Sequence, residues 1–405
     1  MSNSSIRRER VPLIHDNHSH VSLYAALASC PDISGLHPPE AMRLLRSLPA
    51  DSLSVVRGWR TNELPVGPAD LASLPPVLLI NFSLHGFALS DAALPYLSEA
   101  VPDLVEHKDD ASWREANVPR LFDAYCGLSG VTPDRVDAFM DGLLPLGVGS
   151  TEDMAVANPE SLAAMRNSGS AARIRSYATP AAFMAMSAEE RSACDGVKLF
   201  LDGSIGARTA GVRGPWLGGG AAVLAYRNEE LDGELSRIAS WKTGASIHAI
   251  GELAIEQALD SLERLRKNGA VFPLVRLEHA QFISEEQGRR ARDLGLVLSM
   301  QPNFSSDSEC YADRLPAAYL ENNNPFRMLI DRVGFVPGTD LIFGSDGMPH
   351  GLAYPATLSL FPPFPVQRLS LSELLAGYGQ ARGMDGVVVL EIDDQARQVR
   401  VMEES

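Results

Sequence analysis

From residue 196 to residue 345 the chain repeats one pattern. A short apolar run is followed by a polar connection, a stretch with apolar residues three and four apart, and another short apolar run. Residues 197–201, 245–250, 274–279, 296–301 and 341–345 read as strands of four to eight residues. Between them Ile255, Leu259, Leu262 and Leu265 mark one face of a helix, and residues 231–241, 326–333 and 370–380 read as further helices. Ser284 and Gln287 have the spacing of a capping box. Strands this short, each returning through a helix, imply a parallel sheet with crossover helices.

The first half continues the alternation less clearly. Strands are expected at 11–14, 53–59, 77–82, 148–154 and 174–179, and helices at 39–48, 134–144 and 160–167. Residues 101–120 are polar and charged and read as a surface excursion, a lid. About eight strand–helix units fit a closed (β/α)8 barrel better than an open sheet. A dinucleotide-binding sheet would need a glycine-rich fingerprint after the first strand, and none follows it. Beyond Met384, runs at 387–392 and 399–402 flank Asp393-Asp394-Gln395 as a β-hairpin. The expected division is a barrel over 1–383 and a hairpin appendage over 384–405.

Composition narrows the class of partner. The 405 residues are 45% hydrophobic, which suffices for a large core, and carry a formal charge of −16. That charge argues against nucleic acid or an anionic membrane as the main partner. No apolar run approaches the roughly 20 residues that span a bilayer. Arg7, Arg8, Glu9 and Arg10 are not followed by the apolar core of an export signal. Cys30, Cys126, Cys194 and Cys310 form no C-x-x-C pair, so reduced thiols in a cytoplasmic protein are expected.

Catalytic residues of a barrel lie at the C-terminal ends of its strands. His18 and His20 are two apart at the first strand end, where alternate side chains share a face and two imidazoles can hold one divalent ion. His248 and His279 close consecutive strands. Lys198 lies inside an apolar strand, where its ammonium must be desolvated. Two readings follow: an ion pair with a carboxylate such as Asp202, or reaction of the amine with CO₂ to give an anionic carbamate that bridges two metal ions. Asp346, before Gly347, is either a turn aspartate or a weak metal ligand that accepts a proton from water. Six residues of ligand type at strand ends reinforce one another.

These strings together resemble the amidohydrolase superfamily of metal-dependent hydrolases, in its amidohydrolase family 3 branch, similar to N-substituted formamide deformylase. Residues 198–210, Lys-Leu-Phe-Leu-Asp-Gly-Ser-Ile-Gly-Ala-Arg-Thr-Ala, are close to the branch's K-x-F-x-D-G-S-x-G-S-R-T-A signature. His248-Ala249-Ile250-Gly251-Glu252 matches H-A-I-G-D with Glu in place of Asp. Gln301-Pro302, Val56-Arg57-Gly58-Trp59 and the stretch from Pro76 through His85 to Leu94 also resemble family strings.

The resemblance implies an α/β fold, a distorted (β/α)8 TIM barrel, with one or two divalent ions. Zinc is the expected metal, with manganese and iron as alternatives. His18 and His20 would bind one ion, His248 and His279 the other, and carboxylated Lys198 would bridge them. Asp346 would be both ligand and catalytic proton carrier. His85, Arg208 and Gln301 would contact substrate. The N-terminal half of the family's usual β-sandwich is missing, only a C-terminal hairpin remaining. Barrel surface left bare would be covered by another copy of the chain in a homo-oligomer.

The reaction expected is hydrolysis of an amide-like C–N bond (N-acyl, N-formyl or cyclic amide) in a small molecule. An alternative is a deaminase with a single metal ion, because residues 248–252 are similar to the H-A-G-E of adenosine deaminases, in which the glutamate donates a proton. A third reading, an inactive metal-stabilised binding protein, predicts a damaged ligand set.

Overall fold

The computed structural model describes residues 6–61, 63–82 and 84–402. Residues 1–5 of the expected barrel part and 403–405 of the expected hairpin part lie outside the described residues. Strands β1 (Ile6–Pro12) and β2 (Ile14–Ser19) open the chain, and β3 (Ser54–Trp59), β4 (Val77–Asn81) and β5 (Phe87–Leu89) follow. After a helical segment come β6 (Val148–Val156), β7 (Ile174–Ala178), β8 (Gly196–Phe200), β9 (Gly244–Ala249), β10 (Val275–His279), β11 (Val297–Met300) and β12 (Leu341–Phe343). β13 (Val387–Asp393) and β14 (Gln398–Met402) close it.

Eight of these form one sheet in the order β12-β11-β10-β9-β8-β7-β6-β2, with parallel pairing throughout. The sheet nearly closes on itself. At the β2–β12 seam the Asp346 amide donates to the His18 carbonyl at 2.7 Å, and Asn17 Nδ2 donates to the Phe343 carbonyl at 2.9 Å. β6, β8, β9 and β10 are buried at every residue, as strands with helices outside and a packed interior must be. The chain thus has the expected (β/α)8 barrel.

Helix Glu252–Lys267 buries the predicted apolar stripe of Ile255, Leu259, Leu262 and Leu265 against the sheet. The capping box forms before helix Glu285–Asp293: Gln287 N donates to Ser284 Oγ at 3.2 Å.

The barrel interior is partly polar. Arg276 on β10 is fully buried and donates to Glu152 on β6, to Ser299 Oγ at 2.9 Å and to the Asn17 carbonyl at 2.7 Å. Its guanidinium also lies 2.8 Å from Glu278. A buried cation between two carboxylates is satisfied, where an unpaired one would cost several kcal/mol.

Several elements differ from the sequence expectation. β3 and β4 are not barrel strands. They form a separate sheet with β5, in which β3 and β4 are parallel and β5 antiparallel. The expected strand at 11–14 is divided at Leu13, whose amide bonds to Gly386 while that of Ile14 bonds to Gly147. β1 therefore pairs antiparallel with β13, and the small terminal sheet β1-β13-β14 draws on both ends of the chain rather than on a C-terminal hairpin alone. The polar excursion at 101–120 folds into helices Pro102–Glu106 and Ala111–Ala116, and helix Val118–Ser129 follows. Phe326–Met328 is α-helical but passes into a π-helical turn over Leu329–Val333. No helix among the described residues is long and apolar enough to cross a membrane.

Candidate metal centre

The C-terminal ends of β2, β9 and β10 and the loop after β12 bring four imidazoles and a carboxylate together. The rings of His248 and His279 are 4.5 Å apart between centroids, those of His18 and His279 4.8 Å, and those of His18 and His20 5.6 Å. Asp346 Oδ1 lies 3.1 Å from His20 Nε2 and 3.5 Å from His18 Nε2. His18, His20 and Asp346 each offer one ligand atom, all within 4.8 Å of one another.

Local backbone makes this convergence possible. In β10 Arg276 and Glu278 share the inward face, so simple alternation turns His279 outward. His279 instead has φ +72°, and its ring returns to the interior beside His18. Asp346, at φ +55°, is likewise left-handed and folds back over the strand end.

Every ring is held. Glu278 Oε2 accepts from His18 Nδ1 at 2.7 Å, and Gln301 Oε1 accepts from His279 Nδ1 at 2.7 Å. In both cases Nδ1 carries the proton and Nε2 is left with a lone pair, the form a metal ligand needs. Burial pulls His18 down to about 4 and His279 well below its ordinary value, so both rings are neutral. Burial works against ionising Asp346, but the facing His18, His20 and His279 outweigh it and hold its carboxyl well below the usual range.

Lys198 is 0% exposed and its Nζ has no hydrogen-bond partner. Burial lowers it to about 8 against the pull of Glu278 and Asp346. The ion pair with Asp202 does not form. Asp202 accepts instead from the amides of Ile250, Gly251 and Gly211 at 3.0, 2.8 and 2.8 Å, tying the β8 end to the β9 end. His18 Nε2 and His20 Nδ1 are also buried without a partner. Buried polar atoms left unpaired cost about 1–3 kcal/mol each, and the His18 and His20 rings line one cavity. A divalent cation would satisfy nitrogen donors and a carboxylate together, so the residues present fit one.

His85 joins the cluster from the turn between β4 and β5. Its ring is 5.8 Å from that of His248, and Nδ1 donates to Glu115 Oε2 at 2.8 Å. Thr209 Oγ1 donates to the other oxygen of Glu115 at 2.7 Å. Burial alone would lower His85, but the Glu115 carboxylate reverses the direction and raises it. Glu115 escaped the sequence reading because it sits in the charged stretch taken for a surface lid. No spacing set it apart there, since it lies in helix Ala111–Ala116 and the buried Leu121 and Phe122 lie in the next helix.

The two other expected substrate contacts are elsewhere. Gln301 is fully buried and its Oε1 is occupied with His279 Nδ1, where it positions the ring. Arg208 pairs with Asp313 at 3.3 Å with its side chain about one-third exposed, and it does not line the cavity. Glu252, the proton donor of the deaminase alternative, is also outside it. Its carboxylate accepts from Tyr319 and from the Arg213 amide at 2.9 Å. The deaminase reading loses its acid.

The chain belongs to the amidohydrolase family: the family's model matches residues 134–358, a span that holds Lys198, His248, His279 and Asp346. YtcJ of Bacillus subtilis (strain 168), named as an amidohydrolase, is 33% identical over 140 residues, which are 34% of this chain and 26% of YtcJ. The N-substituted formamide deformylase of Arthrobacter pascens is 31% identical over 80 residues, 20% of this chain and 15% of that protein. The chain thus matches about a quarter or less of the length of these relatives. Two solved structures share the fold. An uncharacterized metal-dependent hydrolase from Pyrococcus horikoshii OT3 aligns with TM-score 0.67 and 22% identity over 92% of this chain and 80% of that one. One from Pyrococcus furiosus aligns with TM-score 0.65 and 20% identity over 98% and 88%.

Proposed function

We propose that this amidohydrolase-family chain is a metal-dependent hydrolase that cleaves an amide-like C–N bond in a small molecule, an N-acyl, N-formyl or cyclic amide. The observation that carries this reading is the convergence of His18, His20, His248, His279 and Asp346 with a buried, unpartnered Lys198 amine at one mouth of the barrel.

His18 and His20 would hold one divalent ion, zinc by the chemistry of the donors, and His248 and His279 a second. Bound there, such ions supply Lewis acidity toward a carbonyl and lower the pKa of water from 15.7 to roughly 7. Lys198 is suited to link the two sites. A buried amine with its pKa lowered toward 8 has a free lone pair in part of the population at neutral pH. Attack of that lone pair on CO₂, with loss of the Nζ proton to water, would give an anionic carbamate, a type of ligand that suits a divalent ion.

The remaining steps belong to side chains. Asp346 Oδ1 lies against His18 and His20, is ionised, and accepts the proton released as water adds to the carbonyl carbon. It then returns that proton to the departing nitrogen. His85, backed by Glu115 and Thr209, presents Nε2 to the same cavity and orients the carbonyl or the tetrahedral oxygen. Glu278 and Gln301 keep His18 and His279 in the tautomer that leaves Nε2 open. Phe122, Phe200 and Leu84 line the inner wall and exclude bulk water.

The test is a metal assay joined to a substrate screen. N-formyl, N-acyl and cyclic amides are offered to protein loaded with zinc or manganese, and metal per chain is measured. His248→Asn is expected to lower bound metal and hydrolysis together. Loss of hydrolysis with full metal retained would remove His248 from the ligand set, and no turnover of any amide by fully loaded protein would overturn the reaction class.

A further inference from the structure

Outside the ring cluster the cavity continues as a narrow cleft, open at its mouth. Its walls join the site residues His85, His248, His279 and Asp346 to Ile205, Ile250, Phe304, Tyr311 and Met348, and to three polar side chains, Ser204, Gln281 and Asp307. Gln281 follows β10 and is 1% exposed. Its Nε2 donates to Asp307 Oδ2 at 2.8 Å. The carboxylate settles which end of the amide is which, because an amide oxygen facing it would be repelled. The other end, Oε1, is buried with no partner. The cleft therefore presents an unused acceptor beside a carboxylate, on a wall that also carries Ile205, Ile250, Phe304 and Met348.

The charge that should balance Asp307 is not on the wall. No lysine or arginine lines the cleft among the described residues. Arg314, whose charge bears on Asp307, donates to the carbonyls of Ile205 and Gly206 and lies on the Tyr311 ring at 4.6 Å. Burial consequently pushes the Asp307 carboxyl up to about 7. A buried acceptor without a donor, beside a carboxylate whose charge no wall residue balances, is costly when the cleft is empty and is relieved by a ligand that brings hydrogen-bond donors and positive charge. Phe304 and Tyr311 add ring faces for the stem that carries it.

We propose that this cleft is a subsite for a protonated amine: the substrate is an amide whose far end carries a primary ammonium on an apolar or aromatic spacer. The ammonium sits between Gln281 Oε1 and Asp307, the spacer lies along Ile205, Ile250 and Phe304, and the amide reaches the rings of His248 and His279. This rests on the proposed hydrolase reading for the reaction, but the recognition is independent of turnover.

The test is calorimetric titration of the full chain with benzylammonium and with benzyl alcohol, matched in shape and differing in charge, at about pH 8, where the ammonium and the Asp307 carboxylate are both charged. It is run on metal-loaded and on chelator-treated protein. The ammonium is expected to bind about tenfold more tightly than the alcohol, as one charge-assisted hydrogen bond gives. The preference should persist after chelation, so that binding of the amine to metal is not its source. Asp307→Asn and Gln281→Leu should each reduce it, while metal content stays at the wild-type level. Equal binding of the two probes, loss of the preference on chelation, or its survival in both variants would overturn the subsite. Absence of amide hydrolysis with the ammonium preference intact would instead sink the hydrolase reading and leave the subsite standing.

Discussion

Gln301 and Lys198 make opposite demands on a substitution. Gln301 Oε1 fixes the His279 proton on Nδ1, so Gln301→Leu frees the ring to rotate or change tautomer. Metal affinity is expected to fall about 10–100-fold, as for other outer hydrogen bonds to ligand rings, measured by competition with a chromophoric chelator. An unchanged affinity with a raised KM would restore Gln301 to substrate contact. Lys198→Met removes an amine that is buried and unpaired, so the chelated protein should melt at a higher temperature than wild type while binding less metal per chain. Equal metal in both would mean that Lys198 is no ligand. At this scale the sequence singled out the six ligand candidates and His85, because each is a reactive residue type in or beside an apolar run, and their burial or clustering is what the structure adds. It did not show that the Gln301 and Arg208 side chains are engaged with His279 and Asp313.

β2 and β12 meet at the seam of the barrel, and Gly344 is where they touch. A Cβ built on Gly344 would lie 2.4 Å from the His18 backbone nitrogen, so Gly344→Ala must push β12 away from β2. The expected cost is about 1–3 kcal/mol of stability, with a loss of metal affinity because His18 and Asp346 separate. Denaturant midpoints and metal titration together check it, and an unaffected midpoint would mean the seam yields easily. The Arg276 network gives β6 and β10 a pH signature. Burial opposes ionisation of Glu152, but Arg276 and His15 hold its carboxyl down at about 2. A folded pKa below the unfolded value of about 4.3 contributes stability above that value, and this stability is lost as pH falls through about 2. Glu152→Gln should flatten the difference in stability between pH 5 and pH 2.5. It should also lower stability at neutral pH by about 3–5 kcal/mol, because Arg276 is left underpaired. A parallel slope in variant and wild type would assign the acid sensitivity to other groups.

Across the whole molecule, the centre is assembled from segments that are distant in sequence: His18 near one end, Asp346 near the other, and Glu115 from the helical segment between β5 and β6. Holding neutral rings, a carboxylate and an amine together without a cation is costly. Divalent metal is therefore expected to stabilise the fold, by about 2.7 kcal/mol when free metal is 100 times its Kd. Thermal melts with and without chelator, restored by added zinc, check this. A melting temperature indifferent to metal would mean that the cluster is not a metal site. The β1-β13-β14 sheet shows the same dependence on distant parts, since a hairpin legible at the C-terminus acquired a third strand from the N-terminus.

Residue type and period alone carried the βα alternation, the eight-stranded barrel and the ligand candidates, because burial on a parallel strand selects apolar residues and makes a histidine or lysine there conspicuous. Tertiary structure decided what period cannot encode. The positive φ of His279 overrides alternation and brings it to the same side as Glu278. The pairing of β3, β4 and β5 into a separate sheet puts His85 over the barrel mouth. A charged helix folded over that mouth buries Glu115 against His85. Each depends on contacts between residues far apart in the chain, whose free energy is absent from any local window of sequence.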